Sequence, residues 1–357
     1  LIVIDGSIGE GGGQILRTSL ALAALLGREV KIINIRAKRP RPGLQRQHMV
    51  SVQAVAELSS AKVDGLRLGS TEIVFRPGSI QSGTFRFNIG TAGSVTLVMQ
   101  AILPVMAFAP GPIGIEIRGG TDVPWSPPID YMRFVFSQLL EKFGFGIDIV
   151  VRRRGHYPRG GGVVVVSVPN PPRVLRSVSL KERGEIRAIE GLSHAVRLPR
   201  HVAERQARSA EEYLRSKLGG IPIKISTEWY EPSRDPHLGP GSGIVVWAYT
   251  RSSILGGDSL GAKGKRAEVV GQEAAQRLYE DLVTGKALDR HASDMVLVYA
   301  ALACGESILG GSRLTMHAWT NIKILEQMIP DAKIEFIEGG ELNKPFVVKV
   351  KGICLRR

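Results

Sequence analysis

Hydrophobic and polar positions fall into a pattern that recurs along the chain. Apolar Leu1–Ile4 reads as a strand, Gly11-Gly12-Gly13 breaks it, and an apolar helix is predicted over Gln14–Leu26 with Gly27 at its stop. A second helix over Gln45–Leu58 carries Met49, Val52 and Ala56 on one face, and a strand Glu72–Phe75 follows. The same grammar returns at Thr91-Ala92-Gly93-Ser94, with an apolar helix through Leu97, Val98 and Ile102 that Pro104 disturbs. Its partner helix, Asp130–Phe143, places Met132, Val135, Phe136, Leu139, Leu140 and Phe143 in one core-facing stripe. Strands around 147–151 and 163–168 complete that copy. A third copy has a helix Asp294–Ala303, a second helix Thr320–Ile329, and strands Lys333–Ile337 and Phe346–Val350.

The first-helix starts of the three copies lie about 80 and then about 200 residues apart, so about 100 residues are inserted ahead of the third. Residues 183–282 fit that insertion. They read as strand Ile186–Glu190, helix His201–Leu218, strands Ile221–Trp229 and Gly243–Thr250, and helix Arg266–Val283. The expected fold class is α/β (α+β): a large domain of three βαβαββ-type repeats over 1–182 and 283–357, with a smaller inserted α/β domain over 183–282.

Length and composition support this reading. At 357 residues and 43% apolar the chain can build more than one core. No run of about 18 uncharged apolar residues occurs, and the apolar start is too short for a signal peptide, which predicts a soluble cytoplasmic protein with no membrane partner. Cys304 and Cys354 lack metal-ligand spacing and are expected to be free, packed thiols. The net charge of +14 favours a polyanionic partner. Its cations cluster: Arg36, Lys38, Arg39, Arg41 and Arg46 form one group, and Arg152, Arg153, Arg154 and Arg159 another. Few aromatics lie among them, so a nucleic acid would be gripped by its phosphates rather than by stacking.

Four blocks could carry chemistry. Gly9-Glu10-Gly11-Gly12-Gly13-Gln14 joins a strand to a helix, as an anion-binding turn does, although it matches neither a P-loop nor a dinucleotide fingerprint. Glu10 within it suits a divalent cation on phosphates; a tight structural turn is the plainer alternative. Arg154-Gly155-His156-Tyr157-Pro158-Arg159-Gly160-Gly161-Gly162 could be a hairpin bend. His317, in Thr315–Asn321 just ahead of the last helix, is held neutral and nucleophilic by a helix N-terminus, or is an ordinary surface residue. Asp294, in His291–Met295, suits an N-cap, a metal or a nucleotide.

Taken together these blocks resemble the RNA 3′-terminal phosphate cyclase family over nearly the whole chain. The carriers are Asp5–Arg17, Ile35–Ala37, Pro42–His48, Gly119–Asp122, the Arg154–Val164 signature, and His317 with Thr320-Asn321. The resemblance implies a large domain of three repeats, akin to the C-terminal domain of translation initiation factor three and related to enolpyruvyl transferase domains, with a small insert. It implies an ATP-dependent cyclase that converts an RNA 3′-phosphate to a 2′,3′-cyclic phosphate through a histidine–AMP intermediate, using Mg²⁺ or Mn²⁺. The nucleophile matches His317 and the metal ligand Glu10. The nucleotide site matches Gln14, Gln100, Pro128, His291, Ala292, Ser293, Asp294 and Met295, with Pro128 and His291 at the adenine, where the family usually has Tyr for His291. Phosphate or RNA contacts match Arg17, Arg36, Arg39, Gln47 and His48.

Three rivals are a non-catalytic cyclase-like RNA-binding protein of ribosome biogenesis, an enolpyruvyl transferase, and a plain basic RNA-binding module, which would leave Glu10 and the glycine blocks without a purpose. The first lacks the histidine nucleophile; the second needs two comparable three-repeat domains, where this chain has three copies and a dissimilar insert.

Overall fold

The computed structural model describes all 357 residues. The first copy of the repeat runs β1 (Ile2–Asp5), α1 (Gly13–Leu26), β2 (Val30–Ile33), α2 (Arg46–Leu58), β3 (Lys62–Asp64) and β4 (Ile73–Arg76). The second runs β5 (Gly83–Asn88), α3 (Val95–Met106), β6 (Ile113–Gly119), α4 (Ile129–Tyr131), a π turn over Met132–Phe136, α5 (Ser137–Lys142), β7 (Asp148–Arg153) and β8 (Gly162–Val168). The third opens on a two-residue strand, β9 (Ser179–Leu180). The chain then leaves to build β10 (Ile186–Val196), α6 (Arg200–Lys217), β11 (Ile223–Glu228), β12 (Gly241–Thr250), β13 (Ile254–Leu260) and α7 (Ala267–Leu282). It returns through α8 (Ala292–Met295), α9 (Leu297–Leu302), β14 (Glu306–Gly311), α10 (Met316–Met328), β15 (Lys333–Glu338) and β16 (Phe346–Lys351).

Three sheets share one topology. Their orders are β1-β2-β4-β3, β5-β6-β8-β7 and β9-β14-β16-β15, each with its first two strands parallel and the rest antiparallel. The fourth, β11-β10-β12-β13, differs: its first strand lies between its second and third, where each repeat has its first strand at an edge. It is therefore not a fourth copy. The repeat forms because each βαβ unit buries its helix on one face of its sheet, and the apolar helices then pack on one another, α1 against α3 and α10, and α2 against α3. One apolar cluster of 79 buried residues serves the three repeats, and a separate cluster of 12 lies between the fourth sheet and α6 and α7. Trp247 of β12 belongs to the larger cluster and stacks on Phe134 at 4.7 Å, joining the two layers.

Several expectations from sequence need correction. Helix α3 does not stop at Pro104 but continues to Met106, because Pro104 costs only one hydrogen bond in a largely apolar and buried helix. The expected helix Asp130–Phe143 contains a π turn, yet its stripe from Met132 to Phe143 is wholly buried. Strand β13 was not anticipated, since Gly256-Gly257 reads as a breaker; Gly257 in fact lets α7 approach closely, with its would-be Cβ against Leu278. Cys304 and Cys354 are joined in a disulfide, not free. That bond and four backbone hydrogen bonds from 352–355 tie the chain end to α9 and its exit. Arg154 is not part of an exposed basic group: it is 2% exposed, inside a cage of carboxylates.

Candidate active site

The glycine loop after β1 ends on Gly12, which precedes α1 without any side chain capping the helix, so the first N–H groups of α1 remain available to an anion. Gly9 holds φ +55°, and a side chain there would collide with Thr320. Gly13 faces the cationic side: a Cβ there would stand 2.8 Å from His48 Nε2 and 2.9 Å from an Arg17 guanidinium nitrogen. Glu10 turns back over the loop. One carboxylate oxygen accepts the Gly12 N–H at 3.0 Å, the other pairs with Arg39, and the Glu10 N–H donates to Thr320 Oγ1.

Helix α10 starts four residues earlier than its sequence suggested, because Thr315 caps it by accepting the Ala318 N–H. His317 therefore stands within the first turn, not ahead of it. Gln14, in the first turn of α1, meets it there. The Gln14 amide nitrogen donates to Asp294 Oδ1 at 2.6 Å and to the His317 carbonyl at 3.1 Å, and its oxygen lies 2.8 Å from His317 Nδ1. Two acceptors on one side of the amide fix its orientation, so the oxygen must face the imidazole and Nδ1 must carry the proton. Nε2 is left with its lone pair. Burial, with Arg17 and Arg39 nearby, lowers the His317 pKa against the pull of Asp294, so the ring is neutral at ordinary pH. Asp294 also accepts from Asn321, whose oxygen takes the Thr18 hydroxyl. Burial raises the Asp294 pKa.

A cationic wall faces this pair. Arg17 is buried, its Nε has no partner, and burial pushes its pKa down to about 10. His48 is pushed down to about 3 by burial and then by Arg36, Arg17 and Arg39. Its Nδ1 accepts the Gln45 N–H in a capping box, so its proton is on Nε2, the atom facing Gly13.

The model of the family described as RNA 3′-terminal phosphate cyclase matches residues 8–335. The chain is 72% identical over 356 residues to a protein of Hyperthermus butylicus named RNA 3′-terminal phosphate cyclase, with 100% of this chain and 99% of that one covered. Proteins of the same name from Ignicoccus hospitalis and Methanopyrus kandleri are 60% and 50% identical, each over at least 98% of both chains. The chain belongs to the RNA 3′-terminal phosphate cyclase family. That family is one of ATP-using enzymes, and the mixed α/β fold agrees with membership. No helix is long and apolar enough to cross a membrane.

Against the cyclase resemblance, the structure brings His317, Gln14, Asp294, Arg17, Arg39, His48 and Glu10 together about the glycine loop, beside a small pocket. Gln100 and Met295 line that pocket with Gln14, Arg17 and Asp294, and Pro104 has no N–H to occupy the Gln100 carbonyl. Other cyclase-matched residues are engaged elsewhere. Gln47 Oε1 accepts the Ser94 N–H, tying α2 to the second repeat. Arg36 donates to the carbonyls of Arg41 and Gly43 and so shapes its own loop. Ala292 and Ser293 are buried, Ser293 donating to the Asp289 carbonyl. Pro128 begins α4, whose Tyr131 packs edge-on against His291 at 5.0 Å. His291 pairs with Asp258 of β13 at 2.9 Å; burial lowers its pKa, but Asp258 together with Asp289 and Asp281 raises it overall.

Asp294 lies inside α8 and caps nothing; the capping falls to Asp289, which accepts the N–H groups of His291 and Ala292. Sequence reasoning missed Asp289, which lies five residues before the expected helix start at Asp294 and three before the observed one at Ala292. It also missed Asn321 as a partner of Asp294, and nothing local could have revealed it.

Proposed function

We propose that this chain cyclises RNA 3′-phosphate ends, with His317 as the group that AMP is transferred to. The observation that carries the reading is the Gln14 bridge, which holds the imidazole neutral with Nε2 unprotonated. Nε2 attacks the α-phosphorus of ATP, and the bond to the departing pyrophosphate breaks. An RNA 3′-phosphate oxygen then attacks the same phosphorus and displaces the histidine, giving an RNA 3′-adenylate. Finally the neighbouring 2′-OH attacks the 3′-phosphorus, AMP leaves, and a 2′,3′-cyclic phosphate remains. The last step needs a 2′-hydroxyl, which makes RNA the substrate.

Charge accumulates on phosphoryl oxygens in each step, and Arg17, Arg39, the Nε2–H of His48 and the open N-terminus of α1 are placed to receive it. Arg36 holds their loop, and Gln47 offers its amide nitrogen to RNA. The adenine lies toward Gln100, Met295, Pro128 and His291, with Ala292 and Ser293 shaping the backbone there. Glu10 suits Mg²⁺ or Mn²⁺: it is a single carboxylate beside an anion site, and such ions take their remaining ligands from phosphate and water. Bound there, the ion would neutralise phosphate charge, and Arg39 would be freed to pair with a phosphate oxygen. We also read 183–282 as an inserted unit of the enzyme, supported by its own sheet and apolar cluster. We read the enzyme as cytoplasmic, a reading supported by RNA and ATP as its substrates.

Incubation with α-labelled ATP and Mg²⁺ or Mn²⁺ tests the reading. The wild type takes up label through an acid-labile, alkali-stable bond, and His317→Ala does not. Equal labelling of the two proteins would remove His317 from the mechanism.

A further inference from the structure

A second concentration of ionisable groups lies where the fourth sheet meets the three repeats, and adenylyl transfer makes no use of it. Asp122 follows β6, His156 sits in the loop between β7 and β8, and His194 lies on β10. All three are buried. One ligand atom from each lies within 4.8 Å of the others, and His156 Nε2 and His194 Nε2 are 2.9 Å apart. Asp122 Oδ2 accepts from Thr121 and Arg154, whereas Asp122 Oδ1, His156 Nδ1 and His194 Nδ1 are buried without any hydrogen-bond partner.

Hydrogen bonding within the protein does not account for this arrangement. Two neutral imidazoles facing through Nε2 share a single proton, so the ring that accepts it carries its own hydrogen on Nδ1, a buried donor with no acceptor. Charge is unbalanced as well. Asp122, Asp130 and Glu228 surround one guanidinium, that of Arg154, and only Arg133 reaches Asp130 from the surface side. A divalent cation would take the two facing Nε2 lone pairs without a shared proton, occupy the unpartnered Asp122 Oδ1 and offset the surplus of carboxylate.

We propose that Asp122, His156 and His194 form a site for a divalent transition-metal ion of the zinc class, which fastens the fourth sheet to the catalytic repeats. Two imidazole nitrogens and one carboxylate oxygen suit Zn²⁺ or Co²⁺ and not the hard ions that Glu10 would take with phosphates. Ligand atoms around a tetrahedral zinc stand roughly 3.3 Å apart, given bonds of about 2.0 Å. The separations here, from 2.9 Å to at most 4.8 Å, bracket that figure, so small ring and carboxylate rotations close the shell. Because His194 belongs to β10 and the other two ligands to the second repeat, the ion is a cross-link between layers.

Untagged full-length protein, stripped with a chelator, is titrated with Co²⁺ and then Zn²⁺. One equivalent of Co²⁺ should bind with a visible ligand-field band that Zn²⁺ abolishes, and Zn²⁺ should raise the melting temperature. His156→Gln and His194→Gln should lose the band and the rise, while Glu10→Gln keeps both. X-ray absorption of the wild-type zinc form should show two imidazoles, a reading independent of whether the variants fold. The site is overturned by a wild type with neither band nor stabilisation, by a band that survives the double His variant, or by a coordination shell without two imidazoles.

Discussion

Gln14→Leu keeps the length and helix preference of residue 14 but removes both ends of the bridge between Asp294 and His317. Asp294 retains Asn321 as a donor and stays satisfied in part. His317 Nδ1 loses its only protein acceptor, so the proton is free to move to Nε2 and the ring is free to turn. One such hydrogen bond contributes about 1–1.5 kcal/mol net, and each 1.36 kcal/mol is tenfold in rate, so adenylylation should slow roughly 5- to 12-fold. A single-turnover labelling experiment at saturating ATP reads that rate directly, and the half-saturating ATP concentration should move less than the rate does. The wild-type rate should hold its plateau at pH values below the ordinary imidazole value of 6.5, because the nucleophile stays neutral there. A Gln14→Leu protein that labels at the wild-type rate, while His317→Ala fails to label, would refute the tautomer argument.

Arg154→Leu would leave Asp122, Asp130 and Glu228 without their shared counter-ion, and should cost at least about 3–5 kcal/mol in urea denaturation, partly recovered by adding Asp130→Asn. Cys354→Ser should lower the guanidinium midpoint by an amount equivalent to about 4 kcal/mol, the loop-closure value for a bond spanning 50 residues, and the denatured, unreduced wild type should show no free thiol. His48 titrates near 6.5 when unfolded and near 3 when folded, so the unfolded state binds the extra proton and stability falls as pH drops below 6.5. At pH 5 that amounts to about 2 kcal/mol, and His48→Asn should flatten the stability profile by a comparable amount.

Much of the architecture is legible in the sequence because each repeat is local: a glycine turn, an apolar helix, a partner helix and a hairpin all lie within about 80 residues. The glycine loop and His317 could be singled out for the same reason, since each sits at a helix start marked by its neighbours. What the sequence conceals is pairing across the chain. Asp294 reads as a cap until Gln14 and Asn321 are seen to hold it, and its bond to Gln14 spans 280 positions. Arg154 follows two exposed-looking arginines, and only tertiary packing brings three carboxylates around it. The cysteines lie too far apart in sequence to suggest a bond, and a two-residue strand such as β9 carries no periodicity at all.

Gln14 and the proposed nucleophile are 303 positions apart, and this separation sets a time as well as a distance. At a synthesis rate of about 5–20 residues per second, roughly 15–60 s pass between the emergence of the glycine loop from a ribosome and that of His317. Throughout that interval the nascent polypeptide carries the glycine loop without the histidine proposed to take up AMP. On the proposed reading, a product stalled or truncated before His317 cannot adenylylate itself, and cannot trap an RNA end as an abandoned adenylate.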